Sequence, residues 1–508
     1  MSWDKLAVRA ARLVACTLAI IFFAQPAFPQ DALRVPYLVD ISTFDPDNGF
    51  EIGSMSAINS VYEGLVRYKA GTIEVVGQLA RSWEISDDGR EYTFHLVSGV
   101  KFHGGGDMVA EAVVKSLERR RNGALALSYF LANVERTEAI DQLTVRIVLK
   151  RAQPSFLDSL ASPWGSKVIS PKAIAEHESN DKATQWLNEH ADGTGPYILS
   201  EFHRGDRYVL TRNEAYWGPK SHFSEIQLPV IPDLSQQILQ LQAGDIDAVP
   251  TGYPFAQLAG VPPTLRISSA ASVTLYTLFA NAGSPLDDPE IREAVLTAIN
   301  PSNWAADAFG GYATIAKSIY PRVVIDPASP IVFPTNFEDA RVAISRKDPV
   351  NLTIALHSAS PGYQRIAGHL IAQLASIGIK ATAYPLPQGA AFNLRTAETK
   401  PDLLLTIAGP DAAHPENQAK AFFTKDAPIN FFGRFLDEAD HLFDEAGSTN
   451  DIPLRNALYE QAGKMIFEAG IAIPLVEVDD VVVHSNAIRD LGLIPVYPPG
   501  NIDFGSVR

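Results

Sequence analysis

Apolar residues recur along this chain in two distinct rhythms. Tyr92, Phe94 and Leu96 alternate with Thr93 and His95, the period of two that marks a strand with one buried face. Asp88-Gly89 stands just before that run and reads as a hairpin turn, because glycine accepts a positive φ without a Cβ penalty. Val109, Val113 and Leu117 instead recur every four residues, predicting an amphipathic helix that ends near Arg119-Arg120-Arg121. Cations there suit the negative end of a helix dipole. Leu234, Ile238 and Leu241 line another helix, closed by Gly244. Asp288 is placed to cap a third, with Pro289 at its first position and Ile291, Ala294, Val295 and Ala298 facing inward.

The later half carries a βαβ pattern. Leu352 to Leu356 reads as a strand, Ile366, Leu370, Leu374 and Ile377 mark a helix ended by Gly378, and Ile379 to Tyr384 reads as the returning strand. Leu403-Leu404-Leu405-Thr406-Ile407 is a continuous apolar run, as expected of a parallel strand covered on both faces. The fold class is therefore α/β. Ligands of open α/β sheets sit beyond the carboxyl ends of such strands, which directs attention to the loops after His357 and Ile407.

The first residues describe an address. Lys5, Arg9 and Arg12 precede the apolar run Leu13 to Phe23, and small residues follow at Ala24 and Ala27. This is the layout of a cleavable signal peptide, with cleavage expected near Ala27, and the run is shorter than the ~20 residues of a membrane helix. Leu13-Val14-Ala15-Cys16 resembles a lipobox, but the apolar run follows the cysteine instead of preceding it, so a lipoprotein is not expected. Cys16 is the sole cysteine, and its loss with the signal would leave no disulfide, thiolate nucleophile or cysteine metal site. A formal net charge of −16 argues against a nucleic-acid partner.

Catalytic signatures are missing. Gly104-Gly105-Gly106 lacks the spacing and lysine of a phosphate loop, and His177-Glu178-Ser179-Asn180 fails the zinc-protease motif. There is neither a Gly-x-Ser-x-Gly elbow nor a Walker motif. A glycosidase-type carboxylate pair is the one enzymatic arrangement that spacing alone leaves open. An enzyme is not expected, and no cofactor is implied.

Several ordered motifs carry a family resemblance. They are Val61-Tyr62-Glu63-Gly64-Leu65-Val66, Leu79-Ala80-Arg81-Ser82-Trp83-Glu84, Gly99-Val100-Lys101-Phe102-His103, Gly193-Thr194-Gly195-Pro196-Tyr197, Leu241-Gln242-Ala243-Gly244-Asp245-Ile246-Asp247 and Pro285-Leu286-Asp287-Asp288-Pro289-Glu290-Ile291-Arg292. The chain resembles, from about residue 35 onward, the family 5 extracellular solute-binding proteins of oligopeptide, dipeptide and nickel ABC importers. The resemblance implies a periplasmic binding protein-like II fold, with two lobes of mixed sheets around a ligand cleft and an extra subdomain in the N-terminal lobe. It divides the chain into a signal peptide (1–27), an N-terminal lobe (28–270, with the extra subdomain at about 71–190), a second lobe (271–484) and a returning C-terminal segment (485–508). It also implies a periplasmic monomer that captures a peptide or peptide-like solute by hinge closure. The partner would be an inner-membrane ABC permease with its ATPase subunits. The signature motifs themselves read as structure, not as ligand contacts.

Within that resemblance, specificity is expected in Ala408-Gly409-Pro410-Asp411-Ala412-Ala413-His414-Pro415-Glu416-Asn417. Asp411 falls on the aspartate that pairs with the peptide ammonium in dipeptide and oligopeptide binders, once Pro415 and Asn417 are matched to the family's Asp-Pro-x-Asn. The alternative for Asp411 is to turn its own loop. His357 and Tyr363, in the loop after the first βαβ strand, and His414 complete the candidate ligand-binding set. Two departures weaken a plain peptide reading. Peptide binders often carry a tryptophan where this chain has Thr406-Ile407-Ala408-Gly409, and His357 holds a carboxylate less firmly than an arginine fork would. Chelated nickel, another amphiphile, or service as a ligand-loaded adaptor for a membrane sensor are the alternatives; no direct metal site is assigned.

Overall fold

A computed structural model describes residues 32–358, 360–387, 389–496 and 500–508, so the expected signal segment, Cys16 and Ala27 lie outside the described residues. The chain opens with a four-stranded sheet in the spatial order Ala32–Arg34, Glu225–Pro229, Arg207–Arg212 and Tyr197–His203. Its first pair is parallel and the rest antiparallel. Inserted in sequence is a second four-stranded, antiparallel sheet, ordered Ala80–Ile85, Glu91–Leu96, Thr144–Leu149 and Val134–Asp141. Here the alternation in Glu91–Leu96 is real: Tyr92, Phe94 and Leu96 are buried, and Gly89 turns the hairpin at φ 67°. Each such side chain contributes roughly 1.5–3 kcal/mol by leaving water.

Helix Ala110–Asn122 packs on this second sheet through Val113 and Leu117. Its arginines correct the dipole reading given above. Arg119 and Arg120 turn inward and are essentially buried, because two aspartates wait for them. Arg119 grips Asp45 through Nη1 and Nη2, at 2.9 and 2.7 Å, and also pairs with Asp47. Arg120 Nε donates to Asp47 at 2.6 Å, and its other nitrogens reach the carbonyls of Pro46 and Trp164 at 2.7 Å each. Buried charge is tolerated here because each charged group is paired or hydrogen-bonded.

The signature motifs converge on Glu63, a fully buried carboxylate that accepts from Thr194, Tyr216 and Trp217 at 2.8–2.9 Å. His103 N donates to Gly193 O, and its Nε2 meets Gly195 O, both at 2.9 Å. A Cβ on Gly193 or Gly195 would overlap the backbone oxygens of Ser60 and Val61, so glycine is required there by close approach.

A six-stranded sheet organises the later half, in the order Ala313–Ile315, Ala472–Val478, Leu275–Ala280, Leu403–Ile407, Asn351–Leu356 and Lys380–Pro385. The expected βαβ unit is present: Asn351–Leu356 and Lys380–Pro385 pair in parallel around helix Pro361–Ser376. Leu403–Ile407 is covered on both faces, but it is parallel only to Asn351–Leu356. Its other neighbour, Leu275–Ala280, runs antiparallel. Continuous hydrophobicity reported a central strand, and centrality does not require two parallel neighbours. Asp288 caps helix Pro289–Ala298 through Glu290 N and Ile291 N, as its position suggested.

A small sheet joins the two halves, with Asp480–Ser485 between Ala248–Val249 and Leu265–Ala270. The two stretches entering and leaving the six-stranded sheet run side by side. Val478 N donates to Thr274 O at 2.9 Å, and Ser272 Oγ donates to Val478 O at 2.8 Å.

Candidate functional site

Because Asn351–Leu356 and Leu403–Ile407 are parallel neighbours, their carboxyl ends open on the same edge of the sheet. His357 and the loop from Ala408 therefore start side by side. His357 N donates to Leu405 O at 3.0 Å, and its Nδ1 lies 3.0 Å from Thr406 Oγ1. The imidazole stands edge-on to Phe392 and Phe431. Burial lowers its pKa, which favours the neutral ring. Tyr363, in the first turn of helix Pro361–Ser376, is buried against Tyr276, and its hydroxyl accepts from Ile407 N at 3.2 Å. It props the base of the loop.

Gly409 fixes the start of that loop. A Cβ there would sit 2.6 Å from Val273 O, so no tryptophan or other side chain fits. The chain then crosses to the N-terminal half, where residues of three segments receive it: strand Val66–Tyr68, the turn at Ser128–Leu131 and the two ends of helix Phe156–Ala161. Asp411 accepts a 2.7 Å hydrogen bond from Tyr129 Oη, and its carbonyl accepts from Ser162 Oγ at 2.5 Å. Ala413 N donates to Tyr68 Oη at 2.9 Å, and Ser155 Oγ donates to Glu416 at 2.6 Å.

Asp411 fronts a cavity of about 470 Å3 whose walls include Phe50, Tyr129, Phe130, Asn417 and Ile429. Desolvation raises the carboxyl's pKa, and the Tyr129 bond opposes that shift only in part. Among the described residues no cation pairs with it.

His414 has a different place. Its Nδ1 accepts from Glu416 N at 3.2 Å and caps helix Pro415–Phe422. The ring is buried edge-on to Tyr459, its Nε2 has no partner, and burial together with Arg455 pushes its pKa down to about 3. Asp411 and His357 thus flank one sheet edge, Tyr363 supports it from beneath, and His414 shapes the helix behind. Among the described residues no three His, Cys, Asp or Glu side chains cluster as metal ligands. Tyr129, Tyr68, Ser155 and Ser162 went unseen in the sequence, because they lie some 250 to 345 positions from the loop they meet and no spacing ties them to it.

Residues 74–430 match the model of the bacterial extracellular solute-binding proteins, family 5, middle region. The chain belongs to this family. Family 5 proteins are the solute-binding components of ABC importers, and no helix among the described residues is long and apolar enough to cross a membrane. The glutathione-binding protein GsiB of Escherichia coli strain K12 is 28% identical over 506 residues, covering 96% of this family 5 chain and 97% of that protein. The periplasmic binding protein DppA of Helicobacter pylori, in complex with the peptide STSA, matches with a TM-score of 0.79 at 24% identity over 94% of this chain and 97% of its own. NikZ of Campylobacter jejuni, in complex with Ni(L-His), gives 0.79 at 21% identity over 94% and 98%. The two-lobed type II periplasmic binding fold is thus the architecture of this family 5 member.

Proposed function

We propose that this family 5 protein is exported to the periplasm, captures a peptide or peptide-like solute between its lobes, and delivers it to an ABC permease. The solute's ammonium group pairs with Asp411, while His357 and Tyr363 shape the neutral wall beside it. One observation carries this reading: Asp411 is a half-buried carboxylate with a single hydroxyl donor and a raised pKa, fronting a cavity at the junction of the two halves. A carboxylate in that state gains from an incoming cation. Closure then occurs about the paired stretches at 272–274 and 478, and the chain performs no catalysis of its own.

GsiB binds glutathione, which makes glutathione the first solute to test. Native mass spectrometry of freshly purified protein should find a co-purified small molecule bearing a free amine. Calorimetry should then rank glutathione and free-amine dipeptides above their N-acetylated forms. Equal affinity for acetylated and free-amine ligands would refute the Asp411 pairing. Small-angle scattering should show a smaller radius of gyration with saturating ligand.

A further inference from the structure

A second cavity, of about 170 Å3, lies on the N-terminal side of the bridging loop. Asn59, Tyr62, Arg67, Lys167, Tyr216 and Arg508 contribute to its walls. Lys167 is the unusual member. It is only 6% exposed, yet its ammonium makes a single long bond, 3.4 Å to Ser162 O, and pairs with no carboxylate among the described residues. Lysine is almost never buried without such a partner. Two further groups in the same wall carry unused donors: the Tyr62 hydroxyl, on a side chain with no exposure, meets only the backbone N–H of Asp192, which leaves its own proton unplaced, and Asn59 Nδ2 has no hydrogen-bond partner.

The surrounding charges are already committed. Arg67 pairs with Asp503 at 2.9 Å, Glu63 is saturated by Thr194, Tyr216 and Trp217, and Arg120 is held by Asp47. Arg508 Nη1 is taken up by the carbonyls of Gly505 and Val507. Burial, aided by Arg120 and opposed by Glu63, pushes Lys167 down to about 7. Asp503, the carboxylate in the same wall, is taken up by Arg67 and Gly505 N, so what the cavity lacks is a negative charge that is not already paired.

We propose that this cavity is a binding site for a small oxyanion, received by the Lys167 ammonium with the Tyr62 hydroxyl and the Asn59 amide as neutral donors. Its volume of about 170 Å3 would otherwise hold about six waters at ~30 Å3 each, ample room for a sulfate or a carboxylate group. The site is separate from the solute cavity but adjoins it through Ser162, whose carbonyl meets Lys167 while its hydroxyl holds the Asp411 carbonyl.

Sulfate is a suitable probe because its charge does not change near neutrality. Calorimetry at constant ionic strength, with chloride as the balancing anion, should find sulfate bound about tenfold more tightly at pH 6 than at pH 8, since protonated Lys167 is the receiving form. Lys167→Met should abolish binding, Tyr62→Phe should weaken it several-fold, and Asp411→Asn should leave it intact. Crystals soaked in selenate should show an anomalous peak between Asn59, Tyr62 and Lys167, a readout that does not depend on any variant folding. Sulfate affinity unchanged by Lys167→Met, or a cavity that stays filled with water alone in selenate, would overturn the assignment. Failure here leaves the solute reading untouched, because Asp411→Asn separates the two sites.

Discussion

Asp411→Asn is the substitution that bears most directly on solute capture. It preserves shape and leaves Tyr129 Oη an oxygen to donate to, so the loop keeps its crossing contact. What it removes is the negative charge facing the cavity. Stripping one partner from a buried ion pair costs ~3–5 kcal/mol, and at ~1.4 kcal/mol per decade that is a loss of roughly 150-fold to a few thousand-fold in affinity. Were the pair solvent-exposed, the loss would be ~1 kcal/mol or less, about fivefold. The pH dependence gives a second handle. Desolvation raises the carboxyl's pKa in the empty protein, so a cationic solute must displace a proton as pH falls toward that raised value. Wild-type affinity should weaken at acid pH, and the Asn variant should be flat. Titration calorimetry with the co-purified solute would measure both, with thermal unfolding as the folding control. A cationic solute bound with equal strength and equal pH response by both proteins would leave Asp411 a loop-turning residue.

Other expectations concern the frame. Asp47→Asn leaves Arg119 and Arg120 without their shared anion, and should cost ~3–5 kcal/mol in urea unfolding; a shift under ~1 kcal/mol would mean water reaches the pair. Gly193→Ala drives a methyl into Val61 O and should destabilise by at least the ~1–3 kcal/mol of an overpacked core, read as a lowered thermal midpoint. Burial raises Asp480 to about 7, so its contribution to stability is present below its ordinary pKa and is lost as pH rises toward 7. Asp480→Asn should therefore stabilise relative to wild type at pH 8 and be close to neutral at pH 4; an equal effect at both would show that the carboxyl is not perturbed.

Legibility in the sequence followed the range of the interaction. Local devices could be read directly. Asp288 caps, Asp88-Gly89 turns, and the βαβ unit at 351–385 closes as its periodicity implied, since each depends on residues a few positions apart. The motif at Gly193 could be recognised but not explained, because its reason is the backbone of residues 60 and 61 lying against it. Arg119 and Arg120 were misread for the same cause: their partners, Asp45 and Asp47, sit more than seventy positions away and leave no periodic trace. The candidate site was half visible. The strand-end rule led to the loops after His357 and Ile407, and the family resemblance singled out Asp411 within the second, while Tyr129, Ser155 and Ser162 come from the opposite half, where no local pattern marks them.

The strand Asp480–Ser485 has a bearing on how the protein is made. It fills the gap between Ala248–Val249 and Leu265–Ala270, and beyond it Ile488, Leu491, Ile502, Phe504 and Val507 pack into the same core as Leu33 and Val35. All six strands of the large sheet, by contrast, fall between residues 275 and 478. During synthesis from the N-terminus, that sheet has every strand it needs while the earlier core still lacks its central strand and several of its apolar plugs. The half of the molecule that is translated first therefore cannot close until the end of the chain arrives, and until then it presents unpaired strand edges.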